Sequence, residues 1–148
     1  MSQVIFTENN AAGLIARLFL GAALLPHGLQ KTLGWFGGKG FFASLDGLEA
    51  MGIPPVLGFL VIATESVGAV ALIFGVFGRF MAAFAAIVLI GAVVLKHAAF
   101  GFFMNWTGMQ EGEGWEYHLL AVGLALVVMV MGSGSVSFDR WLTRRYWA

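Results

Sequence analysis

The chain has 148 residues, of which 59% are hydrophobic and only 11% are charged, which is far from the balance of a soluble domain. Its eight basic and eight acidic residues cancel, so no net charge favours binding to nucleic acid. It has no cysteine, which excludes disulfide exchange, thiolate metal sites and iron–sulfur ligation by this chain alone. The composition indicates an integral membrane protein.

Four apolar segments have the length of membrane-spanning helices, which need about 20 residues. They are continuously apolar and too long for the strands of a membrane barrel. Pro54 and Pro55 are expected to begin the second helix, because the first turn does not need the missing amide. We therefore predict an all-α integral membrane fold, a single domain over residues 1–148. Its predicted spans are 11–33, 54–77, 79–100 and 116–132.

The distribution of basic residues predicts how these spans are oriented. The four arginines of the connections lie on the side that holds both termini, whereas two lysines lie on the opposite side together with several glutamates. This bias predicts a four-transmembrane-helix bundle with both termini in the cytoplasm. The arginines are Arg79, Arg140, Arg144 and Arg145, and the lysines are Lys31 and Lys39.

Aromatic residues are concentrated in the two long outer connections, 34–53 and 101–115. Such rings are typical of an interfacial belt, and they would also suit a lid over a cavity between helices. The tail predicts a cap at Ser137, followed by a short amphipathic interfacial helix that carries Trp141, Tyr146 and Trp147.

Ionisable side chains inside the spans are costly in a bilayer, so each one is a candidate for function. Glu65 falls in the middle of the second span, and the tilt of a helical Cβ directs it outward, toward His27 and His97. The alternative for Glu65 is a neutral acid that donates one interhelical hydrogen bond.

Arg17 lies near the cytoplasmic end, where it could extend to the headgroups, and its pairing with Glu65 stays open. Lys31, Lys96, Arg79 and Glu116 lie near span ends, where extension to the headgroups or anchoring of a hairpin is expected.

The polar residues fit an organic ligand better than a metal ion. No pair of histidines or glutamates has the i, i+3 or i, i+4 spacing of a helical chelate, so no metal or haem is predicted. A quinone needs an apolar slot, aromatic walls and a few polar groups for its carbonyls. The residues His27, Glu65, His97 and His118 would provide those groups and could pass protons to a quinone that is being reduced.

In these features the chain resembles the DoxX family of small bacterial four-span membrane proteins. The similarity runs through nearly the whole chain, and the first motif is the most specific. The matching segments are 16–18, 26–31, 34–38, 64–68, 77–79, 96–97, 101–103, 116–118, 132–134 and 137–139.

The resemblance implies a bacterial inner-membrane location and, as in relatives that include a thiosulfate:quinone oxidoreductase, a redox role. We predict a quinone-interacting or redox-linked subunit that contacts the bilayer, a lipid-soluble molecule and a protein partner or a second copy. It would not be a complete enzyme alone, because the chain lacks cofactor-ligating motifs. A membrane scaffold or assembly subunit and a small-molecule or proton-coupled carrier are the alternatives. The resemblance assigns candidate site positions to Arg17, His27, Lys31, Glu65, His97 and Glu116.

Overall fold

The computed structural model describes residues 6–146, and within this range all regular structure is helical. Two short 3-10 turns, Trp35–Gly37 and His97–Phe100, lie in the long connections. The six main helices are α1 (Ala11–Thr32), α2 (Phe41–Ala50), α3 (Pro55–Phe74), α4 (Gly78–Leu95), α5 (Glu116–Met131) and α6 (Phe138–Tyr146).

Three helices, α1, α3 and α4, are long and apolar enough to cross a membrane, with 22, 20 and 18 residues. Helix α5 is equally apolar but has only 16 residues. The predicted third span is too long at its end, because the backbone leaves the helical conformation at Lys96. Helix α2 was not predicted, since segment 34–53 was interpreted as a connection.

The long helices form an antiparallel ring in the order α1, α3, α4, α5, in which each helix packs against its two neighbours. Small residues and leucines fill the centre, whereas most large apolar side chains face outward. This arrangement suits a lipid solvent. We call the end of the bundle that carries α6 the tail end, and the opposite end, with connections 33–54 and 96–115, the loop end.

The tail end is held together by the buried carboxylate of Asp139 in α6. It accepts hydrogen bonds from the backbone N–H groups of Phe77 and Gly78, each at 2.9 Å, and from the Ser133 hydroxyl at 2.6 Å. Phe77 has a φ of 49°, which is costly for a residue with a side chain, and the bond to Asp139 helps to hold it there.

The predicted cap of α6 is confirmed, because the Ser137 hydroxyl accepts a hydrogen bond from the backbone N–H of Arg140 at 3.1 Å. The short helix that follows it is also confirmed. Trp147, which was predicted as part of this helix, lies outside the described residues.

Candidate functional site

An ion pair lies between two of the long helices on the loop-end side of the bundle. Nζ of Lys31, in the last turn of α1, is 2.5 Å from Oε2 of Glu65 in α3. The side chains are only 25% and 12% exposed. Glu65 follows Pro55 by ten residues, which places it about 15 Å along α3.

Local backbone features bring the two charged residues together. Helix α3 widens into a π-helical turn at Thr64–Gly68, a distortion that is frequent at functional sites. Opposite this turn, α1 presents Gly28, where a Cβ atom would lie 2.5 Å from the carbonyl carbon of Glu65 and 2.6 Å from Cα of Ser66. The two backbones approach this closely only because position 28 has no side chain. Lys31, one helical turn later, then reaches Glu65.

A row of rings runs beside this pair. The ring of His27 in α1 lies 6.1 Å from that of Tyr117 in α5, and Tyr117 lies 5.3 Å from His118. His118 is in turn 4.2 Å from His97, which follows the end of α4. His27 also directly precedes Gly28, which packs against the backbone of Glu65. The row and the ion pair therefore belong to one cluster, the loop-end cluster: His27, Lys31, Glu65, His97, Tyr117 and His118.

Two buried polar atoms of this cluster have no hydrogen-bond partner within the described part of the chain, the Tyr117 hydroxyl and Nδ1 of His118. His118 is only 7% exposed. Leaving such a group unsatisfied costs about 1–3 kcal/mol, so unpartnered buried groups in a native structure call for an explanation. Within the cluster, the Tyr117 hydroxyl and Nδ1 of His118 are thus buried polar atoms that no described group satisfies.

Glu116 and His97 attach the connection 96–115 to the bundle. The Glu116 carboxylate accepts a hydrogen bond from the backbone N–H of Met104 at 3.3 Å, so it holds the connection and lies beside the cluster. Nδ1 of His97 is 2.8 Å from the carbonyl oxygen of Glu113. His97 therefore contacts both the connection and the ring of His118 in the cluster.

Arg17 lies at the other end of the bundle, apart from the remaining candidates. It is 1% exposed, so the expectation that it extends to the headgroups is wrong. Its guanidinium donates hydrogen bonds to carbonyl oxygens at the end of α3 and in the segment after α5. The open question of an Arg17–Glu65 pair is also answered, since the ion partner of Glu65 is Lys31.

The structure thus brings together five of the seven candidates from the sequence, His27, Lys31, Glu65, His97 and His118. Tyr117 is the residue that the sequence analysis missed. It lies between two candidates in the chain, in the segment 116–118 that resembles the DoxX family, but its hydroxyl was not considered as a group of the site. Within residues 6–146, no group of three or more His, Asp or Glu side chains is arranged to hold a metal ion.

Comparison of the sequence with known proteins identifies the family of the chain. A sequence profile described as DoxX matches residues 12–98, a range that includes His27, Lys31, Glu65 and His97. The chain belongs to the DoxX family. It is thus a membrane protein, and the DoxX match ends before Tyr117 and His118.

Two curated proteins are similar to this DoxX chain. "Inner membrane protein YqjF" of Escherichia coli (strain K12) is 29% identical over 133 residues, which is 90% of this chain and 93% of the relative. "Putative oxidoreductase CatD" of Bacillus subtilis (strain 168) is 32% identical over 81 residues, which is 55% of this chain and 56% of the relative. No solved structure gives a significant match.

Proposed function

We propose that this DoxX protein is a quinone-interacting subunit of a membrane oxidoreductase system in the bacterial inner membrane. The observation that carries the proposal is the Lys31–Glu65 ion pair inside the bundle, beside the unpartnered buried atoms of Tyr117 and His118. The name of the Bacillus subtilis relative includes the word oxidoreductase, and that of the Escherichia coli relative describes an inner membrane protein. Both names are compatible with the proposal.

The residues of the cluster suit the protonation that accompanies quinone reduction. A quinone that takes up two electrons also takes up two protons, one at each carbonyl oxygen. Lys31 and the Tyr117 hydroxyl can donate hydrogen bonds to such oxygens, and Glu65 and His27 can hold and transfer protons. Because the chain has no cysteine, iron–sulfur carriers of the electrons would belong to a protein partner.

Quinone retention tests the proposal directly. The full chain is purified in its native membrane lipid, and extracted quinone is counted per protein. We expect quinone with the wild type, and a loss of at least tenfold in Glu65→Gln and Lys31→Met, because each leaves the other charged group without its partner. Glu111→Gln and Lys39→Met are the matched controls, since both residues are exposed and lie in the outer connections.

Two results would contradict the proposal. One is a wild-type protein that carries no quinone. The other is quinone retention that is unchanged in folded Glu65→Gln and Lys31→Met. Loss of a co-purifying protein without any change in bound quinone would instead favour the scaffold alternative.

We further propose that all four apolar helices, including the 16-residue α5, cross the membrane, with both termini in the cytoplasm. The antiparallel ring supports an even number of crossings, and the arginines at the tail end support the orientation. The cysteine-free sequence makes this testable by single substitutions. An impermeant maleimide should label Glu111→Cys in intact spheroplasts but Arg144→Cys only after lysis. The reverse pattern would refute the orientation.

A further inference from the structure

Helix α6 is packed with its polar side inward and its aromatic side outward. Asp139 and Thr143, four residues apart on one face, are each 2% exposed. On the other side, Phe138 and Trp141 are 45% and 53% exposed, and their rings are stacked with centroids 5.4 Å apart. A helix on a water-facing surface has the opposite arrangement, so the outer face of α6 is built for an apolar or amphiphilic surrounding.

The same outer face carries positive charge. The Arg145 guanidinium lies 6.0 Å from the centre of the Trp141 ring, and Arg144 is exposed beside it. Within residues 6–146, neither arginine has a carboxylate within ion-pair distance. The nearby Arg79 and Arg140 instead donate hydrogen bonds through Nη1 to backbone carbonyls of α5 and of Thr7.

The position of α6 relative to the spans is fixed by two contacts. Asp139 bonds to the turn between α3 and α4, and the Thr143 hydroxyl accepts a hydrogen bond from the Thr7 backbone N–H at 3.3 Å. The outer face is therefore held at the end of apolar helices, at the level where the surface of the membrane is expected. Aromatic rings that alternate with arginines are typical of helices at this level.

We propose that the outer face of α6, formed by Phe138, Trp141, Arg144 and Arg145, binds the headgroup region of an anionic phospholipid leaflet. The stacked rings of Phe138 and Trp141 enter the boundary between headgroups and acyl chains. Arg144 and Arg145 contact lipid phosphates, and the lipid charge complements theirs. This inference does not depend on quinone binding.

Hydrogen exchange in nanodiscs tests the inference on the full chain. Exchange of residues 138–146 is compared between discs of phosphatidylcholine and discs that also contain phosphatidylglycerol. We expect slower exchange of α6 with phosphatidylglycerol. The factor by which phosphatidylglycerol slows the exchange of α6 should be smaller in the double variant Arg144→Gln, Arg145→Gln. The decrease should be up to about 30-fold, because each arginine near an anionic surface contributes about fivefold to binding.

The control is Lys39→Gln, Lys96→Gln, which removes two exposed positive charges at the loop end and should leave the α6 response unchanged. Unchanged exchange of α1 shows that each variant is folded. Equal α6 exchange in both kinds of disc, or a full response in the arginine variant, would overturn the inference. Protection that depends on protein concentration and not on lipid charge would also overturn it, because a second copy would then cover this face.

Discussion

Removal of one member of the Lys31–Glu65 pair should destabilise the protein strongly. The two side chains are 25% and 12% exposed, so either charge left alone would be largely withdrawn from solvent. Breaking a buried ion pair from one side costs about 3–5 kcal/mol. We therefore expect a loss of this size in the free energy of unfolding for Lys31→Met and for Glu65→Gln separately.

The double variant should be far less affected than the two losses together. With both charges removed, no unpaired charge remains, and replacement of whole buried pairs is often neutral. We expect the interaction free energy in the double-mutant cycle to exceed about 2 kcal/mol. Even when stable, the double variant should not retain quinone, because the polar groups offered to the ligand are gone.

The assay is reversible unfolding in mixed micelles, followed by circular dichroism, for the wild type, both single variants and the double variant. The pair Lys39→Met and Glu49→Gln provides a matched cycle of exposed charges at the same end, and each change should stay within about 0.5 kcal/mol. Single effects that simply add in the double variant would refute the reasoning, since the 2.5 Å contact would then carry no coupling.

Three other substitutions test the surroundings. Gly28→Ala should lower the free energy of unfolding by at least about 1–3 kcal/mol in the same assay, because its Cβ would clash with the backbone at Glu65. Arg17→Lys has three donors instead of five and should cost about 2–6 kcal/mol, while quinone per folded protein stays at the wild-type value. A loss of quinone there would support the role in ligand binding that the sequence predicts for Arg17. Asp139→Asn should cost about 1.5–3 kcal/mol and speed hydrogen exchange at Phe77 or Gly78, because the amide keeps only one acceptor oxygen for the two N–H groups; unchanged exchange at both would contradict this.

The sequence predicted much of the architecture because lipid demands long apolar helices, and a helix relates sequence to depth. That relation was enough to place Glu65, His27 and His97 near one another. The relation between sequence and depth does not predict which residues of two neighbouring helices face each other. The Lys31–Glu65 contact depends on the close approach at Gly28 and on a π-helical turn that has no simple sequence signal. Lys31 was a candidate site residue that was expected to extend to the headgroups or anchor a hairpin, so its ion pair with Glu65 was not predicted.

Helix α2 and the role of the segment 133–139 were missed for a different reason. Both lie in stretches of glycine, serine and aromatic residues whose periodicity is weak. Ser133 and Asp139 looked like a surface tail because their partners, Arg17 and the turn at Phe77, are far away in the chain. Contacts of that range are set by tertiary packing.

Arg17 and Glu65 show that a charge inside a membrane bundle is not by itself a sign of a ligand site. All five N–H groups of the Arg17 guanidinium donate to backbone carbonyls, so no donor is left for a ligand. Glu65 instead has a single ion partner, and its loop-end cluster includes the buried and unpartnered hydroxyl of Tyr117 and Nδ1 of His118. Saturated hydrogen bonding marks the first charge as structural, whereas polar atoms in the cluster of the second remain open to a hydrogen-bond partner.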